Sequence, residues 1–154
     1  MDTLSLNDLG SIFAEALVEV ISKTSSFSLR ASMAEQDADF YGITGVMSLN
    51  SKKSGMIFIS VEEADMKAVC SYMIGVKEDE LTREDILDAL CELVNMTAGN
   101  AKARIYDADY MFALSSPFII TGSGMSIISK KRSTVISKTL SGDGDISIKL
   151  KVVY

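Results

Sequence analysis

Apolar residues recur along this chain in two rhythms, and each change of rhythm marks a new element. From about Leu6 to Lys23, the residues Leu9, Ile12, Phe13, Ala16, Leu17, Val20 and Ile21 form one stripe at helical spacing. Ser5 with Asp8 resembles a capping box in which Asp replaces Glu. Ser26–Met33 then alternates loosely. Phe40–Leu49 and Gly55–Val61 flank the polar turn Asn50-Ser51-Lys52-Lys53-Ser54 and read as a hairpin. A second helix is expected over about Glu62–Ile74, carrying Ala64, Ala68, Val69 and Met73, with Gly75 as its C′ residue. The third and longest spans about Thr82–Ile105. Thr82 is a good N-cap there, and Glu84 and Asp85 sit where the helix dipole favours acids.

The remainder is β-like: Pro117–Gly122, Met125–Ser129, Arg132–Leu140 and Asp145–Val153, the last two joined through Gly142-Asp143-Gly144 as a hairpin. Short turns connect the strands, so the pattern predicts an α+β fold. Its antiparallel β-sheet carries three main helices on one side. Each half opens with a helix and continues into strands, which suggests two pseudo-related halves. A length of 154 residues, 47% hydrophobic content and a single proline predict one domain over residues 1–154 with a real core.

Charge and composition narrow the chemistry. A net charge of -6 disfavours a nucleic-acid or anionic-membrane partner. No apolar run approaches the ~20 residues of a membrane span, and the start Met1-Asp2-Thr3-Leu4 is unlike a signal peptide. Cys70 and Cys91 both lie in apolar helical context, as expected of buried free thiols in a reducing cytoplasm. Histidine is absent. That removes Ser-His-Asp and Cys-His machinery, and with two separated cysteines it argues against a zinc site. Any catalysis must use carboxylates, amides, lysines or a borrowed metal.

On a helical wheel of the third helix, Ile86, Leu87, Leu90, Leu93, Val94, Ala101 and Ile105 share one side. Asp88, Glu92, Asn95, Gly99 and Lys102 share the other. Glu92 and Asn95 lie one turn apart, with Cβ atoms about 5–6 Å from each other, so both can enter one small site on a partner. An Asn amide orients a water without titrating, and a Glu carboxylate suits gripping a lysine. Phosphoryl hydrolysis has a loose transition state and needs mainly such positioning plus charge neutralisation. The sequence supplies no metal site for that neutralisation, so the metal should arrive with the substrate. For an arbitrary Glu-x2-Asn pair a solvated helix face is the commoner reading. Gly99 costs ~1 kcal/mol in a helix, and it serves either close approach of a partner or tight packing against another helix.

The stretch Asp88-x3-Glu92-x2-Asn95 with Met96-Thr97-Ala98-Gly99-Asn100 resembles the signature helix of the CheC/CheX/FliY phosphatases. Pro117 stands where that family places a proline after the helix, and Phe118-Ile119-Ile120-Thr121-Gly122 resembles the strand that follows. The first helix has Glu15-x2-Val18 and Glu19-x2-Ser22 in place of a second Glu-x2-Asn element, which is more like CheX than CheC. The resemblance implies a CheC-like fold and a phosphatase acting on the aspartyl phosphate of a CheY-type response regulator. Asn95 would hold the attacking water and Glu92 would pair with the regulator's lysine. Asp88, Gly99, Asn100 and Pro117 would support the motif. The chain itself would bind no cofactor, with Mg²⁺ held by the regulator. It also implies a homodimer joined through its sheets. The alternatives are a non-catalytic interaction domain, like relatives in the flagellar switch, and a phosphatase of a receiver outside chemotaxis.

Overall fold

The computed structural model describes residues 3–31, 40–122, 124–126 and 135–154. Helix α1 spans Leu6–Thr24 and is closed at its start by the Ser5/Asp8 capping box. Strand β1 is short, Leu29–Ala31. Strands β2, Ile43–Leu49, and β3, Gly55–Val61, form the expected hairpin. Helix α2 runs Glu63–Ile74 and ends on Gly75, whose φ of 70° and ψ of 30° place it in the left-handed region that glycine enters without a Cβ penalty. Helix α3, Arg83–Arg104, starts on Thr82 with a second capping box, this time to Asp85. Strands β4, Phe118–Thr121, β5, Val135–Gly142, and β6, Ser147–Val153, complete the chain.

The six strands form one sheet in the order β1-β5-β6-β3-β2-β4, with every pairing antiparallel. That order carries the two-half layout read from the sequence. Exchanging β1 with β4, β2 with β5 and β3 with β6 returns the same sheet read from its other edge. Each half is thus a capped helix, an edge strand and a hairpin, and α2 lies between the halves.

Alternation along the strands sorts the two faces. Ile43, Met47 and Leu49 of β2, Ile57, Ile59 and Val61 of β3, and Ile148, Leu150 and Val152 of β6 join Leu9, Phe13, Leu17, Met66, Leu90 and Leu93 in the main core. All three helices therefore cover one face. The opposite face holds a smaller cluster, in which the Phe40 and Phe58 rings stack at 5.0 Å. Thr44 and Ser60 share a buried hydrogen bond of 2.7 Å on that side.

Several boundaries differ from expectation for local reasons. The first long strand starts at Ile43 rather than Phe40, because Gly42 turns the backbone with φ of 60°. Phe40 instead makes an isolated bridge to Met125. The last strand starts at Ser147, since Asp145 has φ of 59° and belongs to the turn. In α2 the buried residues are Met66, Val69 and Cys70, while Ala64 is exposed. The strand readings at 32–33, 127–129 and 132–134 lie outside the described residues.

The connection 106–116, for which the sequence pattern predicts no element, seals one end of the core. Tyr110 and Phe112 are buried, and Phe112 stacks on Phe13 at 6.1 Å. Asp109 receives Lys52 at 2.9 Å and Lys53 at 3.6 Å, which pins the β2–β3 turn to this connection.

Candidate active site

Helix α3 is held against the sheet by a close approach at Gly45 of β2. A Cβ built there would stand 2.5 Å from Val94 Cγ2 and 3.2 Å from Leu90 Cγ. Only glycine permits this spacing, so the inner face of α3 is fixed by contact with the strand. Ile86, Leu90, Leu93, Val94, Ala98 and Ala101 are buried on it.

The outer face then has a determined composition. Asp88 and Glu92 are exposed, and Asn95, Gly99 and Lys102 are half-buried. Among the described residues no hydrogen bond or ion pair engages the side chains of Asp88, Glu92 or Asn95. A Cβ built on Gly99 meets nothing within 4 Å. Among the described residues no helix packs tightly on Gly99, so of its two readings open access is the one this geometry favours. Cys91 lies between Asp88 and Glu92 in the chain but is only half-buried, not the buried thiol expected. Burial, and then the charge of Asp88, push its thiol above the ordinary range. It is consequently a neutral thiol at neutral pH and no competing nucleophile.

Asn100 does not share the open stripe. Its Nδ2 donates to Glu19 of α1 at 3.2 Å, and its Oδ1 accepts from Arg104 Nε at 2.8 Å. Arg104 also donates to Glu15 at 3.1 Å and to Glu19, while Lys23 reaches Glu19 at 2.5 Å. This polar network ties the last turns of α3 to α1. The Lys23, Asn100 and Arg104 hydrogen bonds hold the Glu19 carboxyl down to about 2. Pro117 belongs to a different element again, at the entry to β4, where its missing N–H removes no ladder bond. Six motif residues thus divide three ways: Asp88, Glu92, Asn95 and Gly99 form the stripe, Asn100 locks α3 to α1, and Pro117 opens an edge strand.

The pseudo-related half explains why one such stripe exists. Glu15 and Val18 stand at the same distance from the Ser5 cap as Glu92 and Asn95 from the Thr82 cap. In that half valine replaces the amide, and Glu15 is already paired with Arg104. Neither an amide nor a free carboxylate is left there.

Residues that sequence reasoning missed lie beside Glu92. Thr24 at the end of α1 and Met73 and Ile74 at the end of α2 border a cleft that also contacts Ala89 and Met96. No spacing in the sequence joins these positions, which come from three separate helices. Among the described residues no group of three or more acids, cysteines or histidines is arranged to hold a metal ion.

A six-stranded antiparallel sheet under three helices, here with a Glu-x2-Asn pair open on the longest helix, is the architecture this chain shares with CheX and CheC-like proteins of known structure. The chain superimposes on the chemotaxis protein CheX of Desulfovibrio desulfuricans with a TM-score of 0.79 at 21% identity, covering 94% of this chain and 97% of that one. Chemotaxis protein CheX of Vibrio vulnificus matches with a TM-score of 0.78 at 19% identity, over 97% and 98% of the two chains. A CheX-CheY-BeF3-Mg²⁺ complex of Borrelia burgdorferi matches with a TM-score of 0.74 at 18% identity, over 98% and 99%. At these identities the likeness establishes the fold. No curated protein matches the chain by sequence. The family model of the chemotaxis phosphatase CheX matches residues 43–141, most of the chain including all of α3. The protein belongs to the CheX chemotaxis phosphatase family. No described helix is long and apolar enough to cross a membrane.

Proposed function

We propose that this protein hydrolyses the aspartyl phosphate of a CheY-type response regulator, with Asn95 and Glu92 entering the regulator's phosphorylated site. The observation that carries this reading is the open stripe on α3. An amide and a carboxylate project one turn apart from a helix whose inner face is locked to the sheet, and neither has a partner within the described residues. Holding a functional pair on a rigid element removes most of the entropic cost of orienting it.

The division of labour follows from the groups. Asn95 offers a donor and an acceptor at fixed geometry, so it orients a water in line with the phosphorus without taking its proton. Glu92 pairs with the regulator's active-site lysine and docks the helix. Mg²⁺ held by the regulator neutralises the phosphoryl oxygens. The Borrelia relative supports the same pairing of partners, since it is a complex of CheX with CheY, BeF3 and Mg²⁺.

The protein acts as a homodimer in the cytoplasm. The exposed apolar residues Met111, Leu114 and Phe118, on and before edge strand β4, support the first statement. The two free cysteines support the second. Light scattering in solution tests the dimer.

The decisive assay incubates the protein with a CheY-type regulator, Mg²⁺ and acetyl phosphate and follows loss of the phosphoryl group. Asn95→Ala abolishes the acceleration while binding to the phosphorylated regulator persists. Wild-type turnover by Asn95→Ala rules the mechanism out. Recovery of flagellar switch proteins in a pull-down, with no turnover of any regulator, favours the interaction-domain alternative.

A further inference from the structure

Three helix segments converge beside Glu92 and leave a cleft of about 570 Å³. Its apolar wall comes from Met73 and Ile74 of α2 and from Ala89 and Met96 of α3. Ile74 is 48% exposed, unusual for a residue of its size next to a helix interface. Three of its four polar residues are acidic, Asp85, Asp88 and Glu92, of which Asp85 also caps α3 by accepting from Thr82 N–H; the fourth, Thr24, donates its hydroxyl to Val20 O. Asp88 and Glu92 are four residues apart on one helix face, a spacing at which like charges repel, and neither is neutralised within the described residues. Thr24 and Ile74 are the last residues of α1 and α2, so two helix C-termini add partial negative charge to the same space.

An apolar wall under a concentrated negative field fits one chemistry, a cation on an aliphatic stem. Lysine and arginine side chains have that form: the methylenes cover apolar surface and the charged head stays at the rim. We propose that this cleft receives a lysine or arginine side chain from the surface of the response regulator, separate from the active-site lysine assigned to Glu92. It selects which regulators dock. The inference rests on the reading of Glu92 and Asn95 as the pair that enters the regulator. The stem lies against Met73, Ile74 and Met96, and the cationic head meets Asp88 while Glu92 is engaged at the phosphorylated site.

The test uses the full-length protein and a CheY-type regulator kept phosphorylated with acetyl phosphate and Mg²⁺. Ile74→Ala and Asp88→Asn each raise KM about tenfold, and Ile74→Ala, which lies outside the α3 stripe, leaves kcat unchanged because it removes a docking contact that bears equally on ground and transition states. Wild-type KM rises with ionic strength more steeply than that of Asp88→Asn. Reversing single basic residues of the regulator to Glu identifies one whose loss is restored by Asp88→Lys. Wild-type KM in both cleft variants, or a fall in kcat at unchanged KM, overturns the proposal. So does a changed oligomeric state of Ile74→Ala at unchanged KM, which would make the cleft a contact between copies. Asn95→Ala run alongside separates the two levels. If it is inactive while the cleft variants are normal, only this inference fails. If it is active, the parent reading fails.

Discussion

Replacing Gly99 with alanine separates stability from function more cleanly than any other change on α3. A Cβ at Gly99 meets nothing within 4 Å among the described residues, so the methyl group fits without displacing any of them. The helix then gains the difference in propensity between glycine and alanine, about 1 kcal/mol. For a chain of this size that corresponds to a rise in Tm of about 2–4 °C. The same methyl would stand in the open notch one turn beyond Asn95, where the regulator's backbone is expected to lie. Overfilling a packed contact costs about 1–3 kcal/mol, which raises KM for the phosphorylated regulator by roughly 5- to 150-fold. Thermal unfolding and phosphate release measured on the same preparation give both numbers. A variant that is more stable with wild-type KM would show that Gly99 touches no partner. A variant that is less stable would refute the open-space reading itself.

Other perturbations follow from the same geometry. Gly45→Ala forces the methyl against Val94 and Leu90, and the stiff Val94 side chain gives little room, so denaturant titration should show a loss of about 1–3 kcal/mol. Thr82→Ala removes the side-chain acceptor for the Asp85 N–H at 3.1 Å and opens the capping box; the expected loss is about 1 kcal/mol in denaturant titration. Glu19 has a carboxyl depressed from 4.5 to about 2 by Lys23, then Asn100 and Arg104. Its depressed value means that the stabilisation is complete above 4.5 and disappears as pH falls through about 2. The stability difference between the wild type and Glu19→Gln should therefore be constant at neutral pH and shrink on acidification across that window; a difference independent of pH would refute the assignment.

Much of this protein is legible in its sequence, and the physical reason is local. Helices α1 and α3 announce themselves because their apolar residues repeat at helical spacing and their caps are encoded within four residues, Ser5 to Asp8 and Thr82 to Asp85. The β2–β3 and β5–β6 hairpins follow from alternation and from the turns between the strands. The candidate pair is legible for the same reason: Glu92 and Asn95 are neighbours on any helix, whatever surrounds it.

What lay beyond sequence reasoning depends on distant segments meeting. The segment 106–116 has no regular period, and Tyr110 and Phe112 are core residues only because Phe13 and Tyr154 pack against them. Asn100 looks like an extension of the motif, but it faces Glu19 on another helix. The sequence leaves Gly99 two readings, and the open space around it in the fold decides between them.

Periodicity and capping chemistry were enough to determine the helices, the hairpins and the polar stripe, since each depends on residues a few positions apart. Only the tertiary structure decided that Gly45 seats α3 on the sheet, that Glu15 is already consumed by Arg104 in the other half, and that three helix segments enclose an acidic cleft beside Glu92. Those features join positions far apart in the chain, and packing brings such positions together without leaving a repeat in the sequence to mark them.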